Sequence, residues 1–594
     1  MMPLRLSLLL PAFVLVLLAT LSTGMLADAD THSPVQTPAD ETKIDGNKNK
    51  NVGNKKPNVL LILADDVGTG DVPFFWNNPP TSLVDMPNLL EKMANKGVIF
   101  KDAHSSPKCA PSRYMVLSGN YPHRGSLQYG TWNVHADSSQ FTKYQKSIAD
   151  ILKTEGGYHT GAFGKWHLGG IIPPNGIKTE DKSMSRIITQ QGHDWSLPLM
   201  QGPGDLGFDT SYITLGGIQS PPYSFFRDDM LTTNPADAYF WEGGEHQAEQ
   251  FLGTSRIPKN QAGEGDKSWD CSAYDMILVN ATNEFIDDHL QNRPQDPFFA
   301  YVALGAVHDP HSPANYYMDG TPIYNEYPTT HLDMLGGMDK AVGSLVSMIE
   351  NKGLANDTII IFTSDNGGLK GRSADVGHRV SGPLRGAKAS IWEGGHRVPL
   401  IIRHDGVLPV KKKRRKVVGL NDLYATICEL VGIESTSIPS GSAQDSVSFA
   451  KYIKWGSAKK GLRKYLGSWH LNGGWYHAIR DGHLKLIHHP RNNTFEMYNL
   501  KKDISESVDI SKRPWVQDKI PVMYEMLRAI GPCPYKDAVG DFDVSGLGSG
   551  VQKNCDWFVQ DKARCELYFE GELNCQSVCS RFRAKCEKKK MYSL

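Results

Sequence analysis

The chain has 594 residues and a mass of 65.8 kDa, with 64 Lys and Arg against 64 Asp and Glu, 40% hydrophobic and 22% charged residues, and 57 glycines. That length exceeds one ordinary domain and suits a large α/β domain with appendages, so a peptide-sized or wholly staple-dependent fold is excluded. Zero formal charge excludes nucleic-acid binding driven by net charge, and the composition is that of a globular, loop-rich chain rather than a disordered or coiled-coil one.

At the N-terminus Arg5 precedes an apolar run from Leu8 to Ala19, followed by the small residues Ser22, Thr23 and Gly24. This pattern predicts a secretory signal over residues 1–24, because the run is well short of the roughly 20 residues that span a bilayer and Pro11 interrupts it. No later stretch is apolar enough for a stable membrane span. Residues 25–56 are polar and Lys/Asn/Asp-rich, which predicts a disordered linker into a secreted or lumenal enzyme-sized domain.

From Asn58 the chain reads NVLLILADD, a continuous apolar run that predicts a parallel strand buried on both faces and ending in two carboxylates. Strands are expected again at residues 298–304 and 358–363, and between them Leu335, Met338, Val342, Leu345 and Ile349 recur at helical spacing, the alternation of a βαβ unit. A strand over 398–403 precedes a helix with the stripe Leu420, Leu423, Tyr424, Ile427 and Val431. The main domain is expected over 57–435. Beyond it, runs at 476–480 and 483–488 joined by Asp-Gly and Gly-Gly turns predict a smaller antiparallel subdomain over 436–530. No repeat at solenoid or propeller period is present.

Six of the nine cysteines, Cys533, Cys555, Cys565, Cys575, Cys579 and Cys586, fall in residues 531–594. In an exported chain they predict a disulfide-stapled tail, with the pairing open. The odd total leaves at least one of Cys109, Cys271 and Cys428 unpaired or chemically altered. Asn280, Asn356 and Asn492 each begin an N-x-T sequon, which predicts surface positions and N-glycans. Lys411 to Lys416 read KKKRRK. The bland reading is a solvated loop; the sharper ones are a protease-sensitive loop or a patch that docks an anionic polysaccharide.

Asp65 and Asp66 end the first strand, at the edge where open α/β sheets place ligands, and Asp365 with Asn366 repeats the arrangement in TIIIFTSDNGG. Three carboxylates and an amide suit a hard divalent cation better than zinc. Residues 106–113 read Ser-Pro-Lys-Cys-Ala-Pro-Ser-Arg, a Pro-punctuated loop where backbone N–H groups and Arg113 would favour an anion.

Here the sequence resembles the formylglycine-dependent sulfatases of the alkaline-phosphatase superfamily. Cys109-Ala-Pro111-Ser-Arg113 matches C-x-P-S-R, GYHTGAFGKWHLGG at 157–170 matches the second family motif, and the ADD start, the H-x-P segment at His308, SDNGG at 364–368, GAKASIWEGG at 386–395 and EMYNLKKDISE at 496–506 follow in family order. Lys108 and Ser118 depart mildly from that pattern. The resemblance implies a large mixed, mostly parallel sheet sandwiched by helices. It implies oxidation of Cys109 to formylglycine by a dedicated generating enzyme. It implies Ca2+, ahead of Mg2+, on Asp65, Asp66, Asp365, Asn366 and the modified Cys109.

The roles implied are a gem-diol nucleophile at Cys109 forming a covalent sulfo-enzyme, Arg113 and Lys165 holding the nucleophile and its charge, and Lys388 on sulfate oxygens. His308 is the implied general acid and His167 the base that lets sulfate leave. His311 is a candidate substrate-pocket contact beside Lys165, His308 and Lys388, and a further polar group is expected at Ser220 or Ser224. The expected reaction is hydrolysis of a sulfate monoester of a small molecule or, better suited to an exported chain, a carbohydrate. The rivals are a phosphonate monoesterase or phosphodiesterase with the same nucleophile, and a catalytically inactive binder of sulfated glycans.

Overall fold

The computed structural model describes residues 56–530 apart from 77–80, 127–138, 174–196, 242–261, 457–462, 464, 471–475 and 491. The expected signal, nearly all of the linker, the Cys-rich tail and parts of the loops between residues 171 and 297 lie outside the described residues.

The main sheet is built on β1 (Asn58–Ala64), which is buried along its whole length. Its side chains alternate between two cores: Val59, Leu61 and Leu63 enter one, Leu60, Ile62 and Ala64 the other. That two-sided burial is why the segment carries no polar residue after Asn58. Around it stand β2 (Val98–His104), β3 (His159–Lys165), β4 (Thr210–Thr214), the short β5 (Phe226–Arg227) and β6 (Met230–Leu231). A separate two-stranded ribbon is formed by β7 (Ala238–Trp241) and β8 (Gly263–Asp266), and the main sheet continues with β9 (Phe298–Ala303), β10 (Thr358–Ser364), β11 (Arg397–Arg403), β12 (Lys412–Arg414) and β13 (Val418–Gly419).

The order is β12-β2-β11-β10-β1-β9-β3-β4-β5-β6, with β13 also on β2. The centre is parallel, β10, β1, β9, β3 and β4 running together, while β11, β5 and β6 enter antiparallel. β2 and β3 were not anticipated as strands. The basic run is also more ordered than the expected loop, since Lys412, Lys413 and Arg414 pair in parallel with Val98, Ile99 and Phe100.

One face is covered by α1 (Cys109–Ser118), α2 (Ile148–Gly156), α6 (Asp422–Leu430) and α7 (Ala450–Trp455), through Tyr114, Leu152, Leu423, Ile427 and Ile453. The other is covered by α3 (Tyr274–Asn292) and α4 (Thr330–Asn351), through Leu278, Ile286, Leu335, Val342 and Leu345. Local signals set the helix ends: α2 starts in a capping box between Ser147 and Asp150 and stops at Gly157, whose φ of 73° favours glycine. Between α4 and α6 lies the single turn α5 (Glu393–His396).

The smaller antiparallel sheet expected near the C-terminus is present, as β14 (Tyr465–His470), β15 (Tyr476–Asp481), β16 (Leu484–His489) and β17 (Thr494–Asn499). After the single turn α8 (Pro514–Gln517), α9 (Lys519–Ile530) closes one face, packing Met523 and Leu527 on Ile479, Leu486 and Met497. The opposite face sets Ala478, Ile487 and Tyr498 against Ile391 of the main domain. Cys109, Cys271 and Cys428 are all buried, and Asn280, Asn356 and Asn492 are exposed.

Candidate active site

The site assembles at the C-terminal ends of parallel strands, the edge where such sheets bind ligands. β1 and β10 are in register, Ala64 opposite Ser364, so Asp65 and Asp66 emerge beside Asp365 and Asn366. Lys165 is the last residue of β3, His308 follows β9, and Cys109 is the first residue of α1. A ten-residue helix directs its free N–H groups and positive end toward Cys109, a setting that favours an anion there.

Each carboxylate has a cation. Lys165 Nζ donates to Asp65 Oδ2 at 2.6 Å, Lys388 Nζ to Asp66 Oδ2 at 2.8 Å, and an Arg113 Nη to Asp365 Oδ2 at 2.6 Å. Arg113 also donates to the main-chain oxygen of Lys165 at 2.9 Å, so a fully buried guanidinium joins α1 to β3. Asn366 Nδ2 donates to Asp66 Oδ1 at 2.7 Å, and the Asp66 amide donates to Asp365 Oδ1 at 3.1 Å. With three carboxylates matched by three cations, a dication and an anionic ester would enter together at modest electrostatic cost.

The electrostatics follow from burial and these neighbours. Burial alone would raise Asp65, yet Lys165, His308, Arg113 and Lys388 hold it well below the usual carboxylate range. Asp365, equally buried, is pushed up by desolvation and the Asp65 charge, against the pull of Arg113. Burial would also raise the Cys109 thiol, but Lys165 and Lys388 bring it below its ordinary value. For His308, burial and then Lys388 and Lys165 act downward, while Asp66 and Asp65 act upward and prevail.

Cys109 Sγ lies 3.4 Å from His167 Nδ1. His308 Nε2 is 3.8 Å from Asp66 Oδ2, and its Nδ1 is held by the Asp309 carbonyl at 2.6 Å and carboxylate at 3.0 Å. Asp66, His167 and Ala389, the neighbour of Lys388, adopt φ of 64°, 53° and 65°. Left-handed backbone at non-glycine residues is costly and clusters where function constrains the chain.

The donor set fits a hard cation. Asp65 Oδ1 and Asn366 Oδ1 are buried with no hydrogen-bond partner among the described residues, and oxygens of Asp65 and Asp66 and a His308 nitrogen lie within 4.8 Å of one another. Buried acceptors left unsatisfied are expensive, and a cation would satisfy both oxygens.

The structure therefore brings together Asp65, Asp66, Cys109, Arg113, Lys165, His167, His308, Asp365, Asn366 and Lys388. His311 is set one step back, its ring 4.9 Å from His331, with burial bringing it down to about 4. Ser224 is engaged with Thr233, and Ser220 is buried. Sequence reasoning missed Asp309, which anchors His308 and was visible as the acid in H-D-P-H. It also missed Gln219, whose Oε1 is buried without a hydrogen-bond partner among the described residues. A Cβ on Gly217 would fall 2.7 Å from Lys165 Cδ and 3.1 Å from Gln219 Oε1, so this glycine lets the lysine stem and the amide approach.

A family model described as Sulfatase matches residues 57–197 and 205–433. An N-acetylgalactosamine-6-O-sulfatase of Bacteroides thetaiotaomicron is 28% identical over 432 residues, covering 67% of this chain and 76% of that protein. A sulfatase of Formosa agariphila is 27% identical, covering 78% and 85%, and human arylsulfatase D is 26% identical, covering 73% and 75%. Among solved structures, one from a study of glycosaminoglycan metabolism by Bacteroides thetaiotaomicron superposes with a TM-score of 0.65 at 24% identity, covering 80% of this chain and 99% of that one, which establishes the likeness of fold.

Proposed function

Because the chain belongs to the sulfatase family and is a sulfuric ester hydrolase, we propose that it removes sulfate from a carbohydrate, using formylglycine formed from Cys109 and a calcium ion held by Asp65, Asp66, Asp365 and Asn366. The observation that carries this reading is one cluster: the Cys109 side chain at the N-terminus of α1, 3.4 Å from His167 and within the field of Lys165 and Lys388. In the structure Sγ stands where formylglycine would carry its hydroxyl oxygen. The residues present fit both groups, which when bound supply a hydrated aldehyde as nucleophile and a Lewis acid for a sulfate oxygen.

The protein's own side chains do the rest. Lys165 and Lys388 bind the ester's anionic oxygens, exchanging part of their contact with Asp65 and Asp66 for sulfate. Buried Arg113 is held between Asp365 and the Lys165 carbonyl, so it fixes the helix N-terminus without reorganising as charge develops. His308, its Nδ1 held by the Asp309 carbonyl and carboxylate, protonates the leaving oxygen. His167 takes a proton at the nucleophile position.

A carbohydrate substrate is supported by the names of relatives such as the N-acetylgalactosamine-6-sulfatases of Bacteroides thetaiotaomicron and mouse, each 28% identical; a mouse steryl-sulfatase is 26% identical. Secretion is supported by the signal-like N-terminus and exposed sequons. The test is release of sulfate by aldehyde-bearing protein from a panel of sulfated oligosaccharides, a steryl sulfate and an aryl sulfate, beside an aryl phosphodiester with the same leaving group. Fast carbohydrate desulfation is expected. Turnover confined to aryl or steryl sulfate would overturn the substrate, and faster phosphodiester cleavage would overturn the reaction.

A further inference from the structure

We propose that the basic edge strand β12 and the side chains beneath it form a docking strip for the sulfated polysaccharide, separate from the catalytic site. This rests on the carbohydrate reading above.

β12 is the terminal strand of the main sheet and, among the described residues, pairs only with β2. Lys411, Lys412, Lys413, Arg415 and Lys416 are exposed, and among the described residues none of their side chains meets an acidic partner. In a chain whose charges cancel overall, this is a local excess of cations. Arg414 is the exception and is structural: its guanidinium donates to the Tyr452 and Ile453 carbonyls at 2.8 and 2.7 Å, closing the end of α7.

Strand alternation sorts the run. Arg414 lies opposite Phe100, on the face where Phe100 packs with Phe449 and Tyr452. Lys413 lies opposite Ile99, and so shares the other face with Lys101. Lys101 is only 8% exposed, and its Nζ has no hydrogen-bond partner among the described residues. It sits 3.7 Å over the Phe75 ring and 5.4 Å from the Trp76 ring, which Arg397 also approaches at 5.8 Å. Burial, then Lys413, Arg397 and Arg415, push Lys101 down to about 7. Burial is the larger cause and the neighbouring cations add to it, so a polyanion would relieve their share.

A lysine-rich edge has a plainer use in preventing strand-to-strand aggregation. That use needs few charges, and the run carries five exposed ones. A sulfated polysaccharide suits the strip because its spaced anionic groups complement five exposed cations along an extended strand, and half-buried Trp76 lies at the margin beside Lys101 and Arg397. Trp76 also hydrogen-bonds Thr69 at 3.1 Å, on the loop that leaves Asp66, so strip and site are joined by a short, packed segment. A polymer held at the strip would feed the site at raised effective concentration.

The test compares wild-type protein with the variant Lys411→Ser/Lys412→Ser/Lys413→Ser/Arg415→Ser, using dextran sulfate, neutral dextran, phosphatidylserine vesicles and a small aryl sulfate. The variant should bind dextran sulfate at least about tenfold more weakly, with a salt dependence flatter by about 3 in log–log slope, as release of fewer counterions requires. Its KM for the sulfated polymer should rise while kcat and aryl sulfate turnover hold. Unchanged affinity, or increased aggregation with unchanged affinity, would overturn the proposal. Equally tight binding to the vesicles would overturn its assignment to polysaccharide. Strip-dependent binding of dextran sulfate by a protein that desulfates no carbohydrate would refute the substrate reading and leave the strip standing.

Discussion

Replacing Arg480 should loosen the whole molecule, although it lies far along the chain from any proposed catalytic residue. Arg480, in β15 of the smaller sheet, donates to Asp102 Oδ1 at 2.7 Å and Oδ2 at 2.8 Å, and to the Gly482 carbonyl at 3.0 Å. Both partners are almost fully buried, at 6% and 5% exposure. Asp102 belongs to β2, the strand that runs on into the Cys109 loop, and Arg397 and Arg480 hold it well below the usual carboxylate range despite burial. Around this pair His104 meets His396 at 3.0 Å, Lys485 meets Glu393 at 3.2 Å and Glu506 at 2.9 Å, and the Ser105 amide donates to the His396 carbonyl at 2.8 Å. His104, Glu393 and His396 are spaced as metal ligands could be, but Arg480 and Lys485 stand within 3.1 and 3.3 Å of the imidazoles and already supply positive charge. The cluster is read as a bolt between the two sheets. Breaking one partner of a buried pair costs about 3–5 kcal/mol. Asp102 would keep His104 at 2.9 Å and Arg397 at 3.4 Å, so Arg480→Met should cost about 3 kcal/mol, the lower end of that range. Guanidinium unfolding followed by tryptophan fluorescence would measure it, and Asp102→Leu/Arg480→Met should lose less than the sum of the single variants. A single-variant loss below about 0.5 kcal/mol, the level of an ordinary surface substitution, would show that the Asp102–Arg480 pair does not hold the two sheets together.

Lys101 titrates near 7 when folded against its ordinary 10.5. The unfolded chain therefore binds its proton more tightly, the cost to folding is full below about pH 7, and stability rises through the window up to about pH 10.5. Lys101→Met should be more stable than wild type by a few kcal/mol near pH 6.5, with the gap closing toward pH 10; a pH-independent gap would contradict this. His308→Ala should slow alkyl sulfates far more than an aryl sulfate with a good leaving group, because only the former need a proton on the departing oxygen; equal losses would remove its role as acid. Asp65→Asn should weaken calcium binding by at least about tenfold in a calorimetric titration, and an unchanged affinity would move the metal elsewhere.

The centre of the fold was legible because β1, β9 and β10 are buried on both faces and carry near-continuous apolar runs. β2 was not legible, for a physical reason: VIFKDAH contains Asp102 and His104, polar residues that a strand can bury only because Arg397, His396 and Arg480 arrive from far along the chain, 292 residues for the His104–His396 contact and 378 for Arg480 with Asp102. β3, HTGAFGK, hides differently, its glycines allowing close packing that hydropathy does not register. The site's carboxylates, Asn366 and the cysteine loop stood out as motifs at strand and helix ends. Asp309 and Gln219 did not, since their importance lies in the side chains folding brings to them. The run at 411–416 shows in sequence only as a charged segment, open to a solvated loop, a protease-sensitive loop or a docking patch, because charge patterning carries no record of a neighbouring edge such as Val98–Phe100.

In the mechanism proposed, sulfate ester hydrolysis passes through a modified Cys109. The direct measurement is mass spectrometry of the peptide spanning Cys109, made on preparations matured to different extents, beside aryl sulfate turnover of the same samples. Turnover should scale with the fraction present as aldehyde or hydrate and vanish in Cys109→Ala, whose fold should persist. Full turnover from protein that carries only the thiol would contradict the claim.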